Sequence, residues 1–355
     1  MKNHIWLLLA MMVPVGAYAQ EIEMVGTIQQ KVDSNVRRAY ASHRGAEVVS
    51  LMKVKLSSNA QDKMLQRFLK QDLTAPVVRA KNVTLAPSVQ LGMENVPVLN
   101  QGIHGTCVTF AASAAIDAII KKGDYVSPLC SLQLGQYFQT NGFMPSGWDG
   151  SLGGYILSQF DSFGFMTQAD QKQFGCGGLN EYPTAIQDIG REMNPSDFHV
   201  YAQSLVQNHI GWSSLLDLFQ AMKDDIDTGL ILQKVKQSLA NGDRLIFGVL
   251  LADYEKGLAG AVGTHKVFND TWVVTPEIIN DMRLNPQFAG HEMLIIGYDD
   301  NATAKDDHGR IHRGMLKIRN SWGERIGDQG NFYMSYDYFK ALAIEIQRIR
   351  TVKND

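Results

Sequence analysis

The sequence predicts an α+β protein of two lobes, helical first and strand-rich second, with a smaller strand-and-helix piece in front. Three observations lead there. Helical patterns crowd between residues 109 and 240, strand patterns run from 244 to 335, and residues 20–85 share neither character. The 355-residue chain is 45% hydrophobic and 19% charged, with a formal net charge of −3. That balance excludes a disordered polyelectrolyte and a basic protein held to nucleic acid by its charge. A few hundred residues bury a full core without metal or disulfide staples.

Lys2, the apolar run from Ile5 to Val15 and the small-x-small triplet Ala17-Tyr18-Ala19 have the pattern of an export signal cleaved after Ala19. A secreted or periplasmic protein is therefore expected; an N-terminal anchor or a buried strand is the alternative. The run is shorter than the roughly 20 residues of a membrane helix, and no later stretch is apolar enough to span, so no membrane span is expected. Residues 23–32 and Ala46–Leu56 read as the strands of a hairpin or long-looped ribbon. Ser57-Ser58-Asn59 offers caps for a helix with the apolar stripe Met64, Leu65, Phe68 and Leu69. Residues 72–87 lack periodicity and read as an extended linker. Two strands and one helix cannot build a core alone, so this piece must lean on the rest.

Residues 109–122 form a strong helix, rich in alanine and closed by Lys121-Lys122-Gly123. Helices are also expected at 132–138 and 155–163, separated by a glycine-laden stretch, and amphipathic ones at 213–222 and 231–240. Strands follow at Arg244–Leu251, 292–298, 314–319 and Asn331–Ser335. Asp299-Asp300-Asn301 lacks the glycine and terminal glutamate of a calcium loop and reads as a solvated turn. No metal or other cofactor is expected.

Cys107, Cys130 and Cys176 make an odd count, which in an exported chain points to intermolecular pairing or a free reactive thiol. A Cys130–Cys176 bond would close a loop worth roughly 4 kcal/mol and leave Cys107 alone. Three reduced cysteines is the other reading.

Cys107 stands where the loop Gln101-Gly102-Ile103-His104-Gly105-Thr106 meets the alanine-rich helix. Unpaired N–H groups and the positive end of the helix dipole favour thiolate there. Gln101 brings a side-chain amide to the same spot, so a nucleophile and an oxyanion donor occur together. A thiol nucleophile needs a base. His291 heads one apolar strand, and Asn320-Ser321-Trp322 ends another. If the two strands are neighbours, Asn320 accepts the proton of the outer imidazole nitrogen and Trp322 shields that bond. Taken singly, each residue also reads as ordinary: a buried cysteine, a strand-end histidine, a core aromatic.

Together these segments resemble the papain-like (C1 family) cysteine peptidases. Gln101-Gly102 with Gly105-Thr106-Cys107 is similar to that family's glutamine-glycine-x-x-glycine-x-cysteine loop. Gly290-His291 is similar to its histidine segment, Asn320-Ser321-Trp322-Gly323 to its asparagine motif, and Gly327-Asp328-Gln329-Gly330 to its glycine-acid-x-glycine turn. The resemblance spans about residues 90–340. It implies the two-lobed papain-like fold, with a helical lobe, an antiparallel β-rich lobe and the active-site cleft between them. It also implies peptide-bond hydrolysis through a thiolate–imidazolium pair and an acyl-thioester, with no cofactor. By position the catalytic roles fall to Cys107, His291, Asn320 and Gln101, with Trp322 in support. Gly153 and Gly154 resemble the family's substrate-binding glycine pair.

The chain also departs from the pattern. His104 stands where the family usually has a disulfide cysteine, and Val108 where it usually has tryptophan. His104 is either a second titrating group or a polar space-filler. His291 and Asn320 lie 184 and 213 residues beyond Cys107, against the family's usual gap of about 130–150. Insertions are therefore expected, with 194–227 and 299–313 as candidates.

Papain relatives are commonly made with an inhibitory pro-segment, so the implied division is a signal at 1–19, a pro-segment at 20–85 and a peptidase domain at 86–355. Residues 64–69 are expected to pack on the enzyme and residues 73–82 to cross the cleft over Cys107; a permanent accessory ribbon is the alternative. The function implied is a secreted endopeptidase made as a zymogen, whose partners are protein or peptide substrates and its own pro-segment. An exopeptidase, an acyltransferase or an inactive binding homologue on the same fold are the alternatives. Residues 20–85 carry eleven Lys+Arg against six Asp+Glu, and residues 86–355 twenty-one against thirty. A basic segment on an acidic enzyme is expected to be held partly by charge and loosened by salt or acid.

Overall fold

Alternation of apolar residues makes strands of the N-terminal piece, and their register fixes where it goes. In the computed structural model, which describes residues 21–33, 46–70, 85–252 and 261–352, β1 (Ile22–Asp33) pairs antiparallel with β2 (Ala46–Leu56), with one bulge between Met24 and Gly26. The expected export signal and the stretch 73–82 lie outside the described residues. α1 (Ser58–Leu69) starts at the predicted cap, where Ser57 Oγ accepts from the Ala60 N–H. Met64 and Phe68 are buried in the core of the strand-rich lobe, but Leu69 is 61% exposed. It lies ~140° around the helix from Met64, outside the contact face.

After β3 (Ser88–Gln90), the helical lobe is built from α2 (Cys107–Ile120), α3 (Pro128–Thr140), α4 (Gly153–Phe163), α5 (Gln168–Phe174) and α6 (Pro195–Tyr201). The small side chains of α2, Ala111, Ala112 and Ala115, let it lie close on the sheet against Ile246, Leu294 and Ile296. Cys130 on α3 is bonded to Cys176, with their Cα atoms 5.0 Å apart, and Cys107 is left as a free, buried thiol.

The strand-rich lobe follows as β4 (Ile210–Leu216), α7 (Leu218–Ala221), α8 (Thr228–Ala240), β5 (Arg244–Leu251), β6 (Gly263–Thr264), β7 (Thr271–Trp272), α9 (Pro276–Leu284), β8 (Gln287–Asp306), β9 (Ile311–Arg319), β10 (Asn331–Ser335), α10 (Tyr336–Leu342) and β11 (Ala343–Thr351). The sheet order is β4-β11-β5-β8-β6-β7-β10-β9, with β9 also paired to β8. Among the described residues only the short β7–β10 pairing is parallel. This is the predicted α+β arrangement, helices first and an antiparallel-rich sheet second, with a β-hairpin and helix in front.

Two local expectations are corrected. Residues 213–222 are not an amphipathic helix: β4 pairs with β11 from Ile346↔Leu216 to Thr351↔Ile210, and only the one-turn α7 remains helical. Strand pairing overrides the helical pattern, and the partner β11 lies beyond the last predicted strand. Asp300 is not in a solvated turn: it accepts from Lys236 Nζ at 2.6 Å and from the Tyr336 hydroxyl at 2.8 Å.

The ribbon is part of the main sheet. β2 pairs with the start of β8 through Met52↔Gly290, Lys53↔Ala289, Val54↔Phe288 and Lys55↔Gln287. Val49, Leu51, Val54 and Leu56 share the core of the strand-rich lobe.

Candidate active site

The loop before α2 is tied down at Gln101. Its N–H donates to the Ser321 carbonyl at 2.8 Å, and the Ser321 hydroxyl donates to Gln101 Oε1 at 2.8 Å. The Tyr182 hydroxyl donates to the Gln101 carbonyl at 2.8 Å and meets Thr106 Oγ1 at 2.8 Å. Gly102 has φ +57°, and a Cβ there would fall 1.9 Å from the Thr184 carbonyl oxygen, so only glycine fits. With Oε1 occupied, the Gln101 amide nitrogen turns outward. It donates to the His104 carbonyl at 2.9 Å and to the Ser50 carbonyl, on β2, at 3.0 Å.

Cys107 is the first residue of α2 and is 1% exposed. Burial pushes its thiol up to about 12, and the neighbouring Glu292 charge adds to that, against the pull of nearby backbone N–H groups. His291 sits on β8. Its Nε2 donates to Asn320 Oδ1 at 2.9 Å, and the same oxygen accepts the Ser321 N–H at 2.7 Å. β8 pairs with β9 at Leu294↔Arg319, which brings the two residues together as the sequence led one to expect. The proton is thus placed on Nε2, leaving Nδ1 as the basic nitrogen, without a hydrogen-bond partner among the described residues. Trp322 stacks on the imidazole, with centroids 4.7 Å apart and planes 23° apart. Burial lowers the His291 pKa to about 4, although the Asn320 bond acts to raise it.

Cys107 and His291 line one narrow cavity, with Val108, Gly150, Glu292 and Met52 among its walls, and it has room for about one water at most. Met52 closes it from the N-terminal ribbon. A Cβ on Gly150 would lie 2.8 Å from Met52 Cγ, and one on Gly290 2.7 Å from Met52 Cε, so this side chain spans from the helical lobe to the strand-rich lobe. Ser50, Leu51 and Met52 are all buried.

Gly153 and Gly154 open α4, and their N–H groups donate to the Glu345 carboxylate at 2.8 and 3.4 Å; the cavity wall beside them is formed by Gly150, Ser151 and Leu152. His104 lies away from the thiol: its Nε2 reaches the Pro183 and Ile186 carbonyls at 2.8 and 3.0 Å, and its ring packs edge-on to Trp148. Sequence reasoning missed Ser321 as the residue orienting Gln101, Tyr182 as its brace, and Ser50 and Met52 as the cover. It also missed Glu345 and Glu292, and for Glu292 a signal existed: it is a carboxylate at the head of the apolar run Met293-Leu294-Ile295-Ile296.

Residues 225–351 match the model of the Peptidase C1-like family. The match takes in the strand-rich lobe from α8 onward, with His291 and Asn320, while Cys107 comes from the helical lobe outside it. No curated protein matches the chain. Among solved structures the chain is similar to xylellain, a cysteine protease from Xylella fastidiosa, at 18% identity and TM-score 0.48 over 80% of this chain and 94% of that one. It is also similar to digestive procathepsin L 3 of Tenebrio molitor larval midgut, at 17% identity and TM-score 0.46 over 83% and 79%. A third is the proform of the ragweed pollen cysteine protease Amb a 11, at 17% identity and TM-score 0.43 over 82% and 73%.

Proposed function

We propose that the chain is an exported papain-like endopeptidase made as a zymogen, in which residues 21–70 cover the cleft until they are displaced. Cys107 is the nucleophile, and His291 Nδ1 takes its proton. Asn320 holds the imidazole through Nε2, and the Gln101 amide stabilises the oxyanion of the tetrahedral intermediate. Collapse of that intermediate expels the amine, protonated by the imidazolium, and leaves an acyl-thioester for water to hydrolyse. The observation that carries the zymogen reading is the Ser50 carbonyl on the Gln101 amide nitrogen. A peptide oxygen of the chain itself occupies the donor that catalysis needs.

The displaced strand also suggests how substrate is held. Once β2 leaves, residues 287–290 of β8 are free to pair with an extended peptide. The test is adduct mapping with a thiol-reactive epoxide on the full chain, before and after limited proteolysis between residues 71 and 84. The expected adduct is on Cys107 and forms only after cleavage, together with peptide turnover that Cys107→Ala abolishes. Turnover surviving in Cys107→Ala refutes the peptidase reading. A full adduct on the uncleaved chain refutes the zymogen reading.

A further inference from the structure

Two carboxylates in the cavity have no role in the chemistry above. Glu292 follows His291 on β8, Glu345 lies on β11, and both line the same cavity as Cys107. They are 2% and 4% exposed. Glu345 is partly satisfied, accepting from the Gly153 and Gly154 N–H groups and from Gln347 Nε2 at 3.3 Å. Glu292 is not: its shielded Oε1 has no hydrogen-bond partner among the described residues. Room for it exists because two walls are glycine. A Cβ on Gly153 would lie 2.9 Å from Glu292 Oε1, and one on Gly248 2.8 Å from Oε2.

No ion pair reaches either carboxylate among the described residues. Their surroundings are burial, each other, N–H and amide donors, the more distant Asp217, and the neutral Cys107 and His291. Burial holds both carboxyls above the ordinary range, and the Glu345 charge adds to this at Glu292. An uncompensated buried carboxylate is costly, so under the covering strand these acids are driven to hold their protons, and a cation brought in from outside favours their charged forms. Met52, which now stands in this cavity, is unbranched like the stem of a lysine but brings no charge, so the covering strand leaves the acids unpaired.

We propose that Glu292 and Glu345 form an acidic subsite beside Cys107 that takes the cationic side chain of a lysine or arginine within two residues of the scissile bond. This rests on the peptidase reading and adds the substrate class to it. Glu292 supplies the unpaired oxygen that receives the ammonium or guanidinium. Glu345, anchored by the first turn of α4, supplies a second negative charge behind it.

Two measurements on the full chain test this. In the first, a peptide library is digested after cleavage between residues 71 and 84, and the cut sites are read by mass spectrometry. Lysine or arginine enriched about tenfold at one position within two residues of the cut is expected, with the enrichment falling in Glu292→Gln and Glu345→Gln. Cuts flanked only by apolar or acidic residues overturn the proposal and leave the peptidase reading standing. In the second, which needs no turnover, Cys107 is modified with cationic aminoethyl and anionic sulfonatoethyl methanethiosulfonate. A cation preference of about tenfold that disappears in Glu292→Gln supports the acidic subsite; equal rates for the two reagents overturn it. Ready modification of Cys107 without any library cleavage counts against the peptidase reading instead.

Discussion

Arg67 is the residue whose removal should lift the cover without touching the site. It lies on α1 and is 6% exposed. Its guanidinium donates to the Ala341 and Ala343 carbonyls at 3.3 and 3.1 Å and to the Ala221 carbonyl. These acceptors lie at the C-terminal ends of α10 and α7, where helix carbonyls lack intrahelical partners and carry partial negative charge. Burial lowers the Arg67 pKa to about 10, so the group is charged at neutral pH. In Arg67→Met the stem stays and three charge-assisted contacts go. Removing one partner of such a buried cluster costs about 3 kcal/mol. If that cost falls on docking of the segment, the uncovered population rises about a hundredfold. The assay is the rate of Cys107 alkylation by iodoacetamide, because a thiol 1% exposed reacts through the uncovered form. A hundredfold increase with an unchanged near-ultraviolet circular dichroism spectrum is expected. If the alkylation rate stays at the wild-type value while the melting temperature falls, α1 docking is not coupled to the cover and the reasoning fails.

Four further outcomes follow from the geometry. Ser321→Ala frees Gln101 Oε1, so in the activated enzyme kcat should fall about tenfold with KM little changed, as measured by steady-state peptide turnover. In the uncleaved chain the thiol is held near 12 and the imidazole near 4, so alkylation of Cys107 should be nearly flat from about pH 5 to 8 and become pH-dependent only after cleavage. At His312, burial opposes the charge but is outweighed by Asp337 and Asp306, which raise the pKa; at Asp337, burial is outweighed by His312, which lowers it. The raised histidine stabilises fully below about pH 6.5 and loses this as pH climbs through its folded pKa, while the depressed aspartate stabilises above about pH 4. His312→Gln should therefore lower the melting temperature most between those values. Replacing both Cys130 and Cys176 with alanine opens a loop with sequence separation 46 and should cost about 4 kcal/mol in chemical denaturation.

The parts of the site legible in sequence were those whose chemistry is local. Cys107 at a helix start, His291 at a strand head and Asn320 at a strand end each announce themselves within a few residues, and the β8–β9 register then joins the last two. What was illegible depended on contacts far apart in the chain. Residues 213–222 look helical until β11 is known to run beside them. Asp300 looks solvated until Lys236, 64 residues away, is seen to reach it. The sequence led one to look for a cover at residues 73–82, which lie outside the described residues, and gave no sign that Ser50 and Met52, on a regular strand, stand at the site. Only the pairing of β2 with β8 brings them to the thiol, and no periodicity encodes that pairing.

The charge asymmetry between residues 20–85 and the rest suggested a segment held by long-range attraction, but the described contacts are of another kind. Arg67 binds carbonyls, Gln61 Nε2 donates to the Met282 and Asn285 carbonyls, and Lys63 Nζ donates to the Met222 carbonyl. The ion pair from Lys63 goes to Asp224, whose side chain is 86% exposed, and such a pair is worth little in water. Buried cation–carbonyl bonds and shared apolar core are screened weakly by salt. Acid near pH 4 has equally little to protonate at these contacts, since backbone carbonyls do not titrate. On the zymogen reading proposed above, release of the cover is therefore a matter of breaking the chain or prising out a strand. The protonation of the site follows it: burial, joined at Cys107 by the Glu292 charge, holds Cys107 and His291 as a neutral pair, and on the zymogen reading uncovering restores the solvent and helix field that favour the thiolate.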